Sequence, residues 1–153
     1  MTKTAYPFVP KSTASLSPGD FWSIPLSDGS YGCGLVLQLA PPGTPGVRVS
    51  FCGALLDWNG RTDPDPAILT NRTVLAQGYM HILAIKNHGQ VLGNLASDDR
   101  PSPIIWRDGG QHILRGYDII RKWTVADRGF FPVLEYWGWD TIKEKAEQLL
   151  LHR

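Results

Sequence analysis

The chain has 153 residues, a formal charge of +1 at pH 7, 42% apolar and 19% charged residues, 16 Gly, 12 Pro and 6 Trp. At that length folding buries roughly 70% of the surface of the unfolded chain, so a real core is available, while the near-zero charge gives no electrostatic footprint for nucleic acid, an acidic substrate or a lipid surface. No apolar run approaches the ~20 residues of a membrane helix and residues 1–11 lack a secretory apolar segment, so no membrane partner and a cytoplasmic location are expected.

Residues 1–18 carry Pro7, Pro10 and Pro18 among Ser and Thr and are expected to run extended, pinned to the body by Tyr6, Phe8 and Val9. Residues 19–40 then organise the chain. Trp22, Ile24 and Leu26 alternate along one arm and Tyr31, Cys33, Leu35, Leu37 and Leu39 along a second, the period of two of half-buried strands. Between them Asp28-Gly29 predicts a two-residue type I′ turn. Pro25 places the first arm at an edge or at its own end. Gly32 and Gly34 fall on the outward set of the second arm and predict sharp coiling or close approach of another backbone.

After a Pro/Gly-rich loop at 41–46, Val47, Val49 and Phe51 alternate with Arg48, Ser50 and Cys52 in a third strand. Cys33 and Cys52, each in a predicted strand, are expected to stay unbridged and to pack as small apolar groups. Residues 57–66 form a polar loop around Trp58, with Asp57, Asp63 and Asp65 against Arg61 giving a local charge of −2. The pattern at 67–77 suits a short helix or an irregular strand. Residues 78–86 read as a strand buried on both faces. Further on, 104–106 and 112–114 pair across a turn at 107–110, and 117–125 and 130–137 read as two more strands, the second an edge because of Pro132. Residues 141–151 change period: Ile142, Ala146, Leu149 and Leu150 recur at helical spacing, and Thr141 with Glu144 predicts a capping box. His152 and Arg153 follow at the negative end of that helix.

The expected architecture is α+β: a strongly bent, mostly antiparallel β-sheet or partial barrel with a C-terminal helix packed on it, in a single domain over 19–153 after the arm 1–18.

Chemistry is sparsely signalled. His81, His88, His112 and His152 are scattered, with no His-x-His, His-Glu-x-x-His or Cys-x-x-Cys, so no metal or other cofactor is implied. His81 reads as a hydrogen-bonded core residue rather than a base, and neither Ser50 nor Cys52 sits on a nucleophile elbow. The Gly-rich stretch 29–34 lacks the lysine and helix of a phosphate loop. Aromatic rings beside charge are the stronger signal, because a rigid ring rimmed by polar groups suits a binding hot spot. Trp58 with Asp57, Arg61, Asp63 and Asp65 is the first candidate, followed by Trp106 and Trp139. In the run Tyr136-Trp137-Gly138-Trp139, neighbours on a strand point to opposite faces, so Tyr136 and Trp137 cannot both enter one core.

Residues 19–37, with a Gly19-Asp20 start, Ile24-Pro25-Leu26 and a Gly29-to-Gly34 hairpin around Tyr31, resemble the opening of the immunity protein 26 family of bacterial polymorphic toxin systems. The apolar stretch 78–86 extends the likeness. The resemblance implies a cytoplasmic, non-catalytic protein that binds and neutralises a cognate toxin domain, and it transfers no contact residue. Two other classes stand beside it: a small-barrel module for a peptide or nucleic acid, and an enzyme. For nucleic acid, Arg107, Arg115, Arg121, Lys122 and Arg128 against Asp108, Asp118 and Asp127 leave only +2, a weak footprint.

Overall fold

The computed structural model describes residues 5–152. Its strands are β1 (Asp20–Pro25), β2 (Tyr31–Leu39), β3 (Ser50–Leu56), β4 (Val74–His81), β5 (Val91–Asn94), β6 (Ile105–Arg107), β7 (His112–Arg115) and β8 (Asp118–Lys122). The helices are α1 (Pro66–Leu69), α2 (Leu83–Lys86) and α3 (Thr141–Leu151), with 3-10 turns at Thr13–Ser15 and Val125–Asp127. Five strands form one antiparallel sheet in the order β4-β3-β2-β1-β5, and three form a second, β6-β7-β8. The architecture is the expected α+β with a mostly antiparallel sheet and a C-terminal helix; the sheets do not close into a barrel.

The hairpin β1–β2 forms with Trp22 opposite Gly34 and Ile24 opposite Gly32. Its loop differs from the two-residue turn. Leu26 N–H donates to Ser30 O (2.8 Å) and Gly29 N–H to Leu26 O (3.1 Å), and only Gly29, at φ +83, is left-handed. Ser27 and Asp28 thus turn the chain and Gly29 makes the bulge that returns it to the sheet, the three-residue alternative for a hairpin. The Asp28 carboxylate accepts from the Ser30 hydroxyl and from its backbone N–H, and its pKa is held low mainly by these bonds. Pro25 ends β1, which is an interior strand between β2 and β5.

Both faces of the five-stranded sheet are buried, so the two alternating sets read from the hairpin face opposite ways. Trp22, Ile24, Val36, Phe51, Leu55 and Met80 pack under Ile142, Ala146 and Leu150 of α3. Phe21, Cys33, Leu35, Cys52, Ala54 and Leu56 pack on the other side with Trp106 and Leu114 of the second sheet. The helix side is where Gly32 and Gly34 point. A Cβ on Gly34 would penetrate the Trp22 ring, and one on Gly32 would press on Leu150. The close approach made there is therefore to side chains rather than to a backbone. The Trp22 ring in turn meets Phe51 edge-on, with centroids 6.0 Å apart. Cys33 and Cys52 are free and buried; burial pushes the Cys33 thiol well up and that of Cys52 up to about 12.

Several expected elements are shorter than their patterns. The third strand starts at Ser50, leaving Val47 and Val49 in the preceding turns. The stretch 78–86 is divided: β4 ends at His81, whose Nδ1 accepts from Leu83 N–H (3.0 Å) as the chain enters α2. His81 thus shapes a turn at a strand end. Residues 67–77 supply both α1 and the start of β4. The 117–125 strand stops at Lys122, and 130–137 forms a strap with single bridges rather than a strand. The capping box of α3 is also not formed. Asp140 is the N-cap, so Thr141 is already helical and Glu144 N–H bonds Asp140 O (3.0 Å). Glu144 still sits in the first turn, where its charge complements the helix dipole. His152 caps the far end, and Arg153 lies outside the described residues.

The strap joins the two sheets. Arg107 N–H donates to Pro132 O and Leu134 N–H to Arg107 O, covering the free edge of β6; Tyr79 N–H donates to Glu135 O and Trp137 N–H to Tyr79 O, covering that of β4. At the opposite edge, Phe8 exchanges two backbone bonds with Val91 on β5. Of the arm's expected pins, Tyr6 reaches Asp20 (2.7 Å) and Phe8 pairs, whereas Val9 is exposed. Amide side chains complete the docking: Gln38 Oε1 accepts from Tyr117 N–H (2.7 Å) and Gln77 Oε1 from Ile104 N–H (2.8 Å). These bonds satisfy backbone donors at the ends of the smaller sheet.

Candidate functional site

The loop expected to meet a partner serves the fold instead. Trp58 is only 4% exposed, its ring laid over Gly60, where any Cβ would clash with it. Tyr31 and Gly60 exchange backbone bonds (2.8 and 3.1 Å) and Asn59 Nδ2 donates to Ser30 Oγ and Tyr31 O, which closes the loop against the hairpin. Arg61 donates to Asp28 O (2.8 Å) and its guanidinium lies 3.8 Å from the Asp28 carboxylate. Asp65 caps α1 by accepting from Ile68 N–H (3.0 Å). Asp57 is half-buried, its N–H bonded to Thr73 O. Asp63 is exposed. Trp106, at 1% exposure, is a core ring between the sheets. Of the three candidate indoles only Trp139 faces solvent, and it lies far along the chain beside the strap.

Around that strap the surface is different in kind. Among the described residues ten large apolar side chains are exposed, and seven of them fall between 119 and 139: Ile119, Ile120, Val125, Phe130, Val133, Tyr136 and Trp139. Tyr136 is 80% exposed and Phe130 76%, while Trp137 is buried in the core beneath α3. The alternation expected for Tyr136 and Trp137 therefore holds. Such a concentration of exposed large apolar side chains in one stretch of chain is uncommon on a protein that works alone.

Beside this surface opens a cleft of about 550 Å³ whose walls include Tyr79, Tyr117, Tyr136, Leu134, Asp108 and His81. Tyr79 is its hub. The ring stacks on Tyr117 (centroids 4.3 Å apart, 12° between planes) and meets Trp106 and Tyr136 edge-on at 4.9 and 5.4 Å. Its hydroxyl donates to Gly116 O (2.7 Å), which also accepts from Trp106 Nε1 (2.9 Å). Burial raises the pKa of the Tyr79 and Tyr117 phenols, so both stay neutral. The rings are thus fixed before any ligand arrives, and a fixed aromatic wall gains contact area at small entropic cost.

The polar groups nearby are already engaged. Despite the opposing effect of partial burial, bonds from His112 Nδ1 (2.9 Å) and from the backbone of His112 and Gln111 hold the Asp108 carboxyl below its usual range. This pair locks the β6–β7 turn. Arg121 forms a two-pronged bond to Asp127 (2.7 Å on each arm), and that bond with the Thr124 N–H depresses the Asp127 carboxyl strongly. Arg107 lies over the Trp123 ring at 5.9 Å, and Arg115 donates to Pro103 O. Among the described residues no three His, Cys, Asp or Glu side chains gather as a metal site, and no helix is long and apolar enough to cross a membrane.

No family model matches the chain, and no curated protein or solved structure is detectably similar to it.

Proposed function

We propose that this chain is a non-catalytic protein-binding module, and that it meets its partner with the aromatic surface formed by Phe130, Tyr136 and Trp139 beside the Tyr79 cleft. The concentration of exposed large apolar side chains on this one segment carries the reading. Tyr136 meets the Tyr79 ring edge-on, and Tyr and Trp are among the residues most enriched in binding hot spots. A toxin domain that the protein neutralises is the partner we propose, on the resemblance of residues 19–37 to the immunity protein 26 opening. Against nucleic acid, Arg121 is paired with Asp127, Arg107 lies over the Trp123 ring and Arg115 bonds Pro103 O, and the charge of this segment is only +2. Against catalysis, the Nδ1 atoms of His81 and His112 are both occupied by local turn contacts, and no nucleophile is paired with either imidazole among the described residues.

The test is to sequence the genes beside this one, co-express the chain with any toxin domain they encode, and follow with titration calorimetry. Rescue of growth by the unaltered protein is expected. Tyr136→Ala and Trp139→Ala should each weaken binding by ~2 kcal/mol or more while leaving the fold intact. Failure to rescue removes the toxin as partner; unchanged affinity in both variants removes this surface as the site.

A further inference from the structure

The cleft beside the aromatic face is lopsided in charge. Among the described residues its walls carry one formal charge, the Asp108 carboxylate, and no lysine or arginine. His81 adds none in this arrangement, because its Nδ1 accepts from Leu83 N–H and is therefore unprotonated. Asp108 is held by donors, the N–H groups of Gln111 and His112 and the His112 imidazole, and these bonds keep its carboxyl ionised at neutral pH. Its side chain is still 28% exposed. Burial is the main cause that raises the Tyr79 phenol and the Asp108 charge the smallest, so the carboxylate lies within electrostatic reach of that ring.

We infer that this cleft takes an arginine side chain of the protein partner, with the guanidinium among the tyrosine rings and attracted by Asp108, and the aliphatic stem along Leu114, Ile119 and Leu134. An occupant that shuts water from the cleft desolvates Asp108 in part. An apolar side chain leaves that cost uncompensated and an acidic one adds repulsion, whereas a cation offsets it. The rings favour the same choice, because the face of a tyrosine is electron-rich and attracts a cation. Tyr79 and Tyr117 are stacked on each other and so each has one face committed, while Tyr136, at 80% exposure, keeps ring face open to an incoming group. Arginine suits this wall better than lysine, since its planar guanidinium stacks on rings and is more weakly hydrated than an ammonium. At about 550 Å³ the cleft is within the size range of sites that hold small ligands and has room for a long side chain. The inference rests on the reading of this face as a protein-binding surface, and it adds the chemistry that the partner presents there.

Chemical-shift titration of the isotope-labelled full chain with N-acetyl-arginine amide tests the cleft without any partner, at about pH 7.5, where an ordinary imidazole is mostly neutral. Saturable shifts are expected at Tyr79, Asp108 and Tyr117 between about 1 and 50 mM probe, the weak range open to one side chain. N-acetyl-citrulline amide replaces the guanidinium by a neutral urea of similar shape and should bind about fivefold more weakly, as should N-acetyl-leucine amide. Asp108→Asn keeps an acceptor oxygen for the two backbone N–H groups but removes the charge. It should weaken the arginine probe about fivefold and change the citrulline probe by less than about twofold, a cycle that isolates the charge pair. Tyr136→Ala removes one ring and should weaken the arginine probe about threefold or more. The same spectra report whether each variant is folded, and if Asp108→Asn does not fold, Tyr136→Ala decides, because its ring lies at the surface. No saturable shift up to about 50 mM, equal binding of the arginine probe and either neutral probe, or a folded variant that binds the arginine probe unchanged overturns the inference. Tighter binding of tetramethylammonium than of the arginine probe overturns it too, by assigning the cleft to a small organic cation. The co-expression test fails separately: loss of rescue removes the toxin, while a cleft that ignores arginine leaves the aromatic face to bind by its apolar rings alone.

Discussion

The two sheets divide the work of the molecule. The five-stranded sheet is covered on both faces, by α3 on one and by the second sheet on the other, and its outer strands are tied off by Phe8 and the strap. The three-stranded sheet buries Trp106, Ile113 and Leu114 but leaves the whole of β8 in solvent, in the same stretch of chain that exposes Phe130 and Tyr136. Indole rings show the contrast in one residue type: Trp22, Trp58 and Trp106 are core, and Trp139 is surface. Aromatic content alone does not mark an interface. Trp22 lies against Gly34, Trp58 over Gly60 and Trp106 against the Tyr79 ring.

Four substitutions probe that division, and their expected costs fall as one moves from the larger sheet outward. Trp58→Ala removes a buried ring from the hairpin clasp and should cost about 3–5 kcal/mol by chemical denaturation; a loss below about 1 kcal/mol would return this loop to the surface. Gly34→Ala forces a methyl group into the Trp22 ring and should cost about 1–3 kcal/mol, read as a lowered midpoint with an unchanged slope. Gly29→Val meets open space, its nearest neighbour being Arg61 Nη1 at 3.9 Å, so its cost is that of φ +83 alone, about 1–2 kcal/mol. Phe130→Ser, on the outer surface, should shift stability by no more than about 0.5 kcal/mol. If Phe130→Ser unfolded the protein, the contrast between the sheets would be lost.

The parts legible in the sequence are those with a long, unbroken period. Residues 19–40 and 141–151 each repeat one pattern over several turns or strand pairs, and the structure places β1, β2 and α3 there. The smaller sheet and the strap are harder to read, because β6, β7 and β8 span three to five residues each and Pro132 to Trp137 bond to two different sheets in succession. A pattern that short does not fix a register. The Asp-Gly pair locates the turn at 27–29 but does not type it, since it serves both a two-residue turn and a bulged three-residue one; only the bonds of Leu26 and Ser30 distinguish them. Trp58 misleads because its polar neighbours suggest exposure, whereas those neighbours are spent on local bonds. Gly60 is the available signal: a glycine two residues beyond a ring lets the ring fold back over the chain.

The strap and α3 leave the ribosome after the strands that they cover. Until Trp137 has emerged, the outer edges of β4 and β6 have nothing to bond, and until Leu150 has emerged, Trp22 and Phe51 have no helix above them. A nascent chain emerged only as far as residue 131 would thus carry two uncovered strand edges and a bare apolar face at once, the combination most prone to aggregate. Emergence of residues 132–150 is then a protective event as well as a structural one, and at typical elongation rates it closes that exposed state within a few seconds.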